Sequence, residues 1–467
     1  MPRKIPIAAI ALIGLLLPIG FNLSLWQNET SLPLNSVLID VFVVNKFSIL
    51  FNFVFIFALA IVILISNGYR ELSKQSNAEY YALLFFSTCG MMLLVSAREL
   101  IIIYISLELT TLPIAALAAF GKNQRSVESA MKLLILNGIS SALLLYGMVL
   151  LYGLTGTTVL KEIGEIIARL PLDQNEPFGN YALLLSIVLM SVGFGFKITA
   201  VPFHMWAPDV YEGAPTPITA FLSVASKAAG FGIILQVLHI ALKHDMIFAD
   251  WSKIFSVLAL SSMLLGNFVA ISQSNIKRML AYSSIAHAGY MLVGISALTT
   301  GVGEFQNSTG PSNILFYLCG YAITNLAAFS VIIVVSNRES SDQISDFSGL
   351  GKKSPYMAAV LSIAMVSLTG LPPGIGFITK LYIFGSAIQN GVAWLAIVGV
   401  LTSVVSAYYY LRIIKVMYMS DPSPKSTITA SLPVRLAVIG TGVCILVFGI
   451  YPKPLLELSI AAGSVFQ

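Results

Sequence analysis

Apolar runs of about twenty residues recur from one end of this 467-residue chain to the other, and no other feature limits its fold as much. A helix rising 1.5 Å per residue needs roughly 20 apolar residues to cross a hydrocarbon core of about 30 Å. Thirteen such runs are readable, at 5–23, 41–66, 79–97, 99–119, 128–153, 181–203, 214–242, 252–272, 276–297, 312–336, 354–389, 393–418 and 430–451. The eleventh is too long for one straight span, and "GLPPGIG" at 370–376 breaks it. Composition agrees: 57% of residues are hydrophobic and 10% charged, against roughly 25% charged in a soluble domain. The pattern predicts an all-α polytopic protein with about 13 transmembrane helices, forming one membrane domain over 1–467.

The placement of charge predicts orientation. Arg and Lys gather in alternate connections: Arg3 and Lys4, Arg70 and Lys74, Lys122 and Arg125, Lys277 and Arg278, then Arg338, Lys352 and Lys353. The positive-inside rule puts the N-terminus inside and, after thirteen spans, the C-terminus outside, in a cell (inner) membrane. The first run could pass for a secretory signal, but it is long and no A-x-A site follows, so an uncleaved first span is expected. One inner connection, 203–213, departs from the rule with Asp209 and Glu212 and no cation. In the longest polar break, 154–180, "LKEIGEIIARL" sets Leu160, Ile163, Ile167 and Leu170 on one face, which predicts a short helix on the outer surface.

Cys89, Cys319 and Cys444 all fall in apolar runs, with no C-x-x-C or His-rich spacing to suggest iron–sulfur, zinc or haem ligation. "GFGFKI" fails the dinucleotide fingerprint, since position 198 is Ile and no strand precedes it. No cofactor is expected on this chain, and no nucleic acid partner.

Four charged groups stand at membrane depth: Glu108 in "IYISLELTTLPIAAL", Lys197 in "GFGFKITAVPFHMW", Lys227 in "FLSVASKAAGFGI" and Lys380 in "GIGFITKLYIF". A charge near the bilayer midplane costs about 2.5–3.5 kcal/mol, so together they cost roughly 10–14 kcal/mol if unpaired, comparable to the whole stability of a typical fold. They must be paired, wetted, or neutral part of the time. A lysine near a span end snorkels to the interface, as Lys132 is read to do. Lys227 is about thirteen residues from either end of its run, too far for that. His287 in "YSSIAHAGYML" has Tyr282, Ser283, Ser284 and Tyr290 close by in sequence, so it reads either as a packing histidine or as a proton carrier. His204, at an interface, is a possible proton entry point.

Lysine suits proton relay for a physical reason. Its reference pKa of about 10.4 holds the proton too tightly in water. Burial penalises the ammonium form and a nearby carboxylate favours it, so moving the carboxylate's charge would switch a lysine between holding and releasing. Glycines 193 and 195 with Pro202 are expected to weaken the helix around Lys197, and Gly370, Pro372, Pro373, Gly374 and Gly376 the helix before Lys380. Interrupted helices at membrane depth survive only where they face protein or water, and a pair of them in two halves of a chain points to repeats with the site between. "GFGFK" echoes "GFITK" five spans later, which suggests five-helix repeats over 79–242 and 252–418, preceded by helices in 1–78 and followed by a C-terminal helix and tail over 430–467.

The stretches "LELTTLPIAALAAF", "GFGFKITAVPFHMWAPDVYEGAPTPITAFLSVASKAAGF", "NIKRMLAYSSIAHAGYMLVG" and "SLTGLPPGIGFITKLYIF" resemble the antiporter-like membrane subunits of respiratory complex I, the proton-translocating NADH:quinone oxidoreductase. The resemblance covers nearly the whole chain. It implies two inverted five-helix repeats, each with a broken helix, and a proton route along a central polar axis. By motif, Glu108 matches the family's glutamate, Lys197 its paired broken-helix lysine, Lys227 the central lysine and Lys380 the second broken-helix lysine. A short tail and a lysine at 380 are similar to the subunit N branch, although bacterial members usually have fourteen spans and the thirteen runs read here would lack a counterpart of the family's first helix. The resemblance also implies partners: other membrane and peripheral subunits carrying a quinone site, flavin, iron–sulfur clusters, and NADH or another donor. Two other readings remain. A subunit of a multi-subunit Na⁺/H⁺ antiporter shares this fold and the Glu–Lys pair, and a scaffold would use the buried charges only to fix helix pairing.

Overall fold

The computed structural model describes residues 7–27, 41–67, 69, 77–169, 177–242, 245–299, 309–339, 341–421 and 430–466. Its helices, in chain order, are α1 (Ile7–Gln27), α2 (Lys46–Ser66), α3 (Asn77–Ser96), α4 (Leu100–Ala118), α5 (Gln124–Thr155), α6 (Leu160–Ile167), α7 (Pro177–Ile198) and α8 (Trp206–Gly213). They continue with α9 (Thr216–Ala241), α10 (Asp245–Ile271), α11 (Ile276–Ser296), α12 (Thr309–Glu339), α13 (Pro355–Thr369), α14 (Ile375–Gln389), α15 (Ala393–Met419), α16 (Leu432–Ile450) and α17 (Lys453–Gly463). Among the described residues no strand forms, and eleven helices are long and apolar enough to cross a membrane. The protein is an all-α, multi-pass membrane protein. The broken run at 354–389 divides into two shorter apolar helices, α13 and α14.

Local chemistry sets several boundaries. Asn45 and Asn123 cap α2 and α5, each side chain accepting from the backbone of a serine three residues on, and Asn275 caps α11 through the amides of Lys277 and Arg278. Gly370, in the left-handed region at φ 87°, ends α13. Helices α10 and α11 pack most intimately where glycine permits it. A Cβ on Gly266 would stand 2.6 Å from the Ala286 amide nitrogen, and one on Gly289 2.8 Å from that of Met263.

Helices α9 and α12 are buried along the whole of their most apolar stretches, and α11 nearly throughout, which makes these three the centre of the bundle. Helices α1, α5, α15 and α16 keep large apolar side chains on the outside, as lipid-facing spans do.

Three features differ from the sequence reading. Helix α7 runs unbroken through Gly193 and Gly195 and stops only at Ile198, because these glycines serve close packing: Cβ atoms there would meet Leu144 and Phe203. The connection 203–213 contains the helix α8, and beyond the last apolar run α17 folds back across the bundle, with Phe466 4.8 Å from the Phe47 ring. The short amphipathic helix expected in the 154–180 break does form, as α6, with Leu160, Ile163 and Ile167 turned onto protein and Gly164 so close to the Ile240 carbonyl that a Cβ would overlap it. Leu170 lies outside the described residues.

Candidate functional site

Lys227 sits on α9 directly after a π-helical segment, Leu222–Ser226, and is 1% exposed. A π segment adds a residue to the turn and re-aims the side chains around it. The Lys227 ammonium donates to the Ser284 carbonyl at 2.5 Å and to the Ser284 hydroxyl, and lies 5.7 Å from the Tyr321 ring centroid. No carboxylate lies within ion-pair distance of Lys227 among the described residues; hydroxyl, carbonyl and aromatic face replace one.

His287 lies one turn beyond Ser284 on α11 and is buried. Its Nδ1 is 2.7 Å from the Tyr317 hydroxyl and its Nε2 3.3 Å from that of Tyr410, while its ring centroid stands 5.2 Å from Tyr321 and 5.5 Å from Tyr290. Tyr290 in turn stands 4.8 Å from the Lys380 ammonium. Side chains from α9, α11, α12 and α14 thus form a continuous buried sequence: Lys227, Tyr321, His287, Tyr290, Lys380.

Lys380 is held by the break itself. Helix α13 ends at Thr369, leaving terminal carbonyls without intrahelical partners. The Lys380 ammonium, reaching back from α14, takes the carbonyls of Leu368 and Thr369 at 2.9 Å each and the Ser403 hydroxyl at 2.8 Å. A cation at a helix C-terminus is also favoured by the macrodipole. Gly370 is obligatory here on a second ground, since a Cβ would stand 2.7 Å from Lys380 Cδ.

The first break is built differently. Lys197 lies before it, in the last turn of α7, and donates to Thr111 Oγ1 at 2.7 Å. The chain then turns through Thr199, at φ 64°, a left-handed conformation that strains a β-branched residue by about 1–3 kcal/mol. The freed backbone finds internal partners: Val201 N donates to Ser262 Oγ, and Trp206 Nε1 to the Phe196 carbonyl. The segments "GFGFK" and "GFITK" therefore stand on opposite sides of their breaks.

Glu108 is half-buried on α4, one turn before Thr111. Its carboxylate accepts from Ser141 at 2.5 Å and Asn137 at 3.3 Å, both on α5. Glu108 and Lys197 do not touch: no ion pair within 4.0 Å involves either among the described residues, and the Lys197 ammonium goes instead to Thr111, one turn from Glu108. Lys197 reaches Lys227's neighbourhood through carbon, since a Cβ on Gly230 would stand 3.2 Å from Lys197 Cγ.

His204 is set apart. It lies in the turn after α7, its Nδ1 buried and without a hydrogen-bond partner, and burial pushes its pKa below the usual imidazole value despite a backbone hydrogen bond. Lys132 reaches Asp209 at 2.7 Å and Glu128 at 2.8 Å. Sequence reasoning named Ser284 and Tyr290 but missed Thr111, Asn137, Ser141, Tyr317, Tyr321, Ser403 and Tyr410. The signal was present in part: Tyr317, Tyr321 and Asn325 recur every fourth residue, and Asn137 and Ser141 share a face at the same spacing.

Comparisons with known proteins agree on this architecture. The family described as NADH:quinone oxidoreductase/Mrp antiporter, transmembrane, matches residues 97–406, which include Glu108, all three lysines and His287. The NADH-quinone oxidoreductase subunit N of Heliobacterium modesticaldum is 43% identical over 431 residues, 91% of this chain and 87% of that protein. A chain of respiratory complex I from Thermus thermophilus with bound aureothin superposes with a TM-score of 0.80 at 30% identity, covering 97% of this chain and 94% of that one. A chain of the Mrp complex from Dietzia sp. DQ12-45-1b gives a TM-score of 0.83 at 20% identity over 98% and 91%, a likeness of fold alone. The chain belongs to the NADH:quinone oxidoreductase/Mrp antiporter transmembrane family.

Proposed function

We propose that this chain is the proton-translocating membrane subunit of an NADH:quinone oxidoreductase, in the position its subunit N relatives hold. The observation that carries the reading is the buried sequence from Lys227 through His287 to Lys380, in which every titratable group is held by hydroxyls, carbonyls or rings. The hydroxyls among these contacts can accept from an ammonium and donate to a neutral amine, as proton relay requires. A buried carboxylate partner would lock the charge instead.

In this mechanism quinone reduction elsewhere shifts charge near Glu108, and the change in field reaches Lys197, whose partner Thr111 lies one turn from Glu108. Lys197 and Lys227 exchange protonation states through intermittent water, and His287 with its tyrosines passes the proton towards Lys380. Protons enter from the inside and leave outside, with the N-terminus inside and the C-terminus outside. The two broken helices would belong to five-helix units at 79–242 and 252–418. Electron transfer belongs to partner subunits that supply the quinone site, flavin, iron–sulfur clusters and NADH or another donor.

A Na⁺/H⁺ antiporter subunit is the second reading, supported by the Mrp likeness of fold. Co-purification separates the two. Partners carrying flavin and iron–sulfur clusters, with quinone reduction that acidifies one side of a vesicle, are expected. Sodium-dependent pH changes in vesicles free of quinone reductase would contradict the proposal.

A further inference from the structure

The carboxylate of Asp209, on the short helix α8, has each oxygen on a different long helix. Oδ2 takes Lys132 of α5 at 2.7 Å, and Oδ1 takes Arg278 of α11 at 2.8 Å. Arg278 also takes Glu212, at 3.0 Å, and Lys132 takes Glu128. The Asp209 backbone joins in, its carbonyl accepting from Ser129 of α5 at 3.0 Å. Further along α8, a Cβ on Gly213 would overlap the Ser129 hydroxyl and stand 2.7 Å from the Arg125 carbonyl, so α8 is seated directly on α5.

Each helix in this knot also carries part of the proton site. Helix α5 carries Asn137 and Ser141, which hold Glu108 and lie about 7.5 and 13.5 Å along the axis from Lys132. Helix α8 continues from the break after Lys197. Helix α11 carries Ser284 and His287, about 9 and 13.5 Å from Arg278. A carboxylate that only balanced surface charge would need one cation. Burial would push the Asp209 carboxyl up, but hydrogen bonds from Lys132 and Arg278 outweigh it and hold it below the usual carboxylate range, so it is ionised at neutral pH.

We propose that Asp209 is a positioning residue for proton transfer: its bridge between Lys132 and Arg278 holds α5, α8 and α11 in the one register in which a change at Glu108 and Lys197 is felt at Lys227. The inference rests on the function proposed above. The bridge acts on coupling between sites, so its loss lowers protons pumped per electron more than it lowers electron transfer.

The test is proton pumping per electron in proteoliposomes of the assembled complex, with Lys227→Ala measured beside it. Asp209→Asn is expected to lower the ratio by about twofold or more, and Asp209→Glu to restore it. Lys132→Gln and Arg278→Gln should each show the same defect, and either combined with Asp209→Asn should be no worse than Asp209→Asn alone, as for members of one network. Should Asp209→Asn fail to assemble, Arg278→Gln, which leaves the Asp209–Lys132 pair, decides by the same ratio. A wild-type ratio in Asp209→Asn, or in Arg278→Gln where that decides, with pumping lost in Lys227→Ala overturns the bridge and leaves the function standing. Wild-type ratios in both the bridge variant and Lys227→Ala overturn both.

Discussion

An ammonium group surrounded by hydroxyls and carbonyls is the repeating unit of the proposed route. Each lysine has found oxygen partners within hydrogen-bond distance, so none carries the full penalty of a bare charge in hydrocarbon. Thr111 gives the simplest test, because it supplies the one hydrogen bond formed by the Lys197 ammonium among the described residues. Thr111→Val keeps the shape and removes the acceptor, and is expected to destabilise the protein by about 1–3 kcal/mol. Thermal inactivation of the purified complex measures it, and Thr111→Ser should behave as wild type. Ser284→Ala removes one of two oxygens serving Lys227 and leaves the carbonyl, so pumping should fall about fivefold, the equivalent of roughly 1 kcal/mol, without loss of assembly.

At the level of helices, glycine and serine set where elements touch and where they stop. The α10–α11 contact tolerates no Cβ at Gly289, so Gly289→Ala should push apart the pair that presents Ser284 and His287, destabilising by about 1–3 kcal/mol. Gly138→Ala, on an α5 face with open space, should be neutral or stabilising by up to about 1 kcal/mol. Yield and melting temperature of the two variants check this contrast. The apolar runs made the spans legible in advance, since length and hydropathy alone decide whether a helix can cross. Glu108, Lys197, Lys227 and Lys380 were legible too, as charges out of place. Their partners were not, because a threonine or tyrosine in an apolar run carries no sign of which helix it will face. The break expected around Lys197 does fall there, after Ile198, but Gly193 and Gly195 play no part in it: glycine signals both a flexible backbone and a close neighbour, and only packing distinguishes them.

Across the whole molecule, buried polar groups concentrate on and beside the central helices α9, α11 and α12, while apolar side chains cover the periphery. The chain's C-terminal segment ties this body together, Phe466 lying between Phe47 of α2 and His239 of α9. The central claim is that the enclosed lysines carry protons rather than merely pin helices. The most direct measurement is quinone-reduction-driven acidification by proteoliposomes containing the complex with Lys227→Ala. Assembly with pumping abolished or sharply reduced is the predicted result; wild-type pumping per electron in that variant would contradict it.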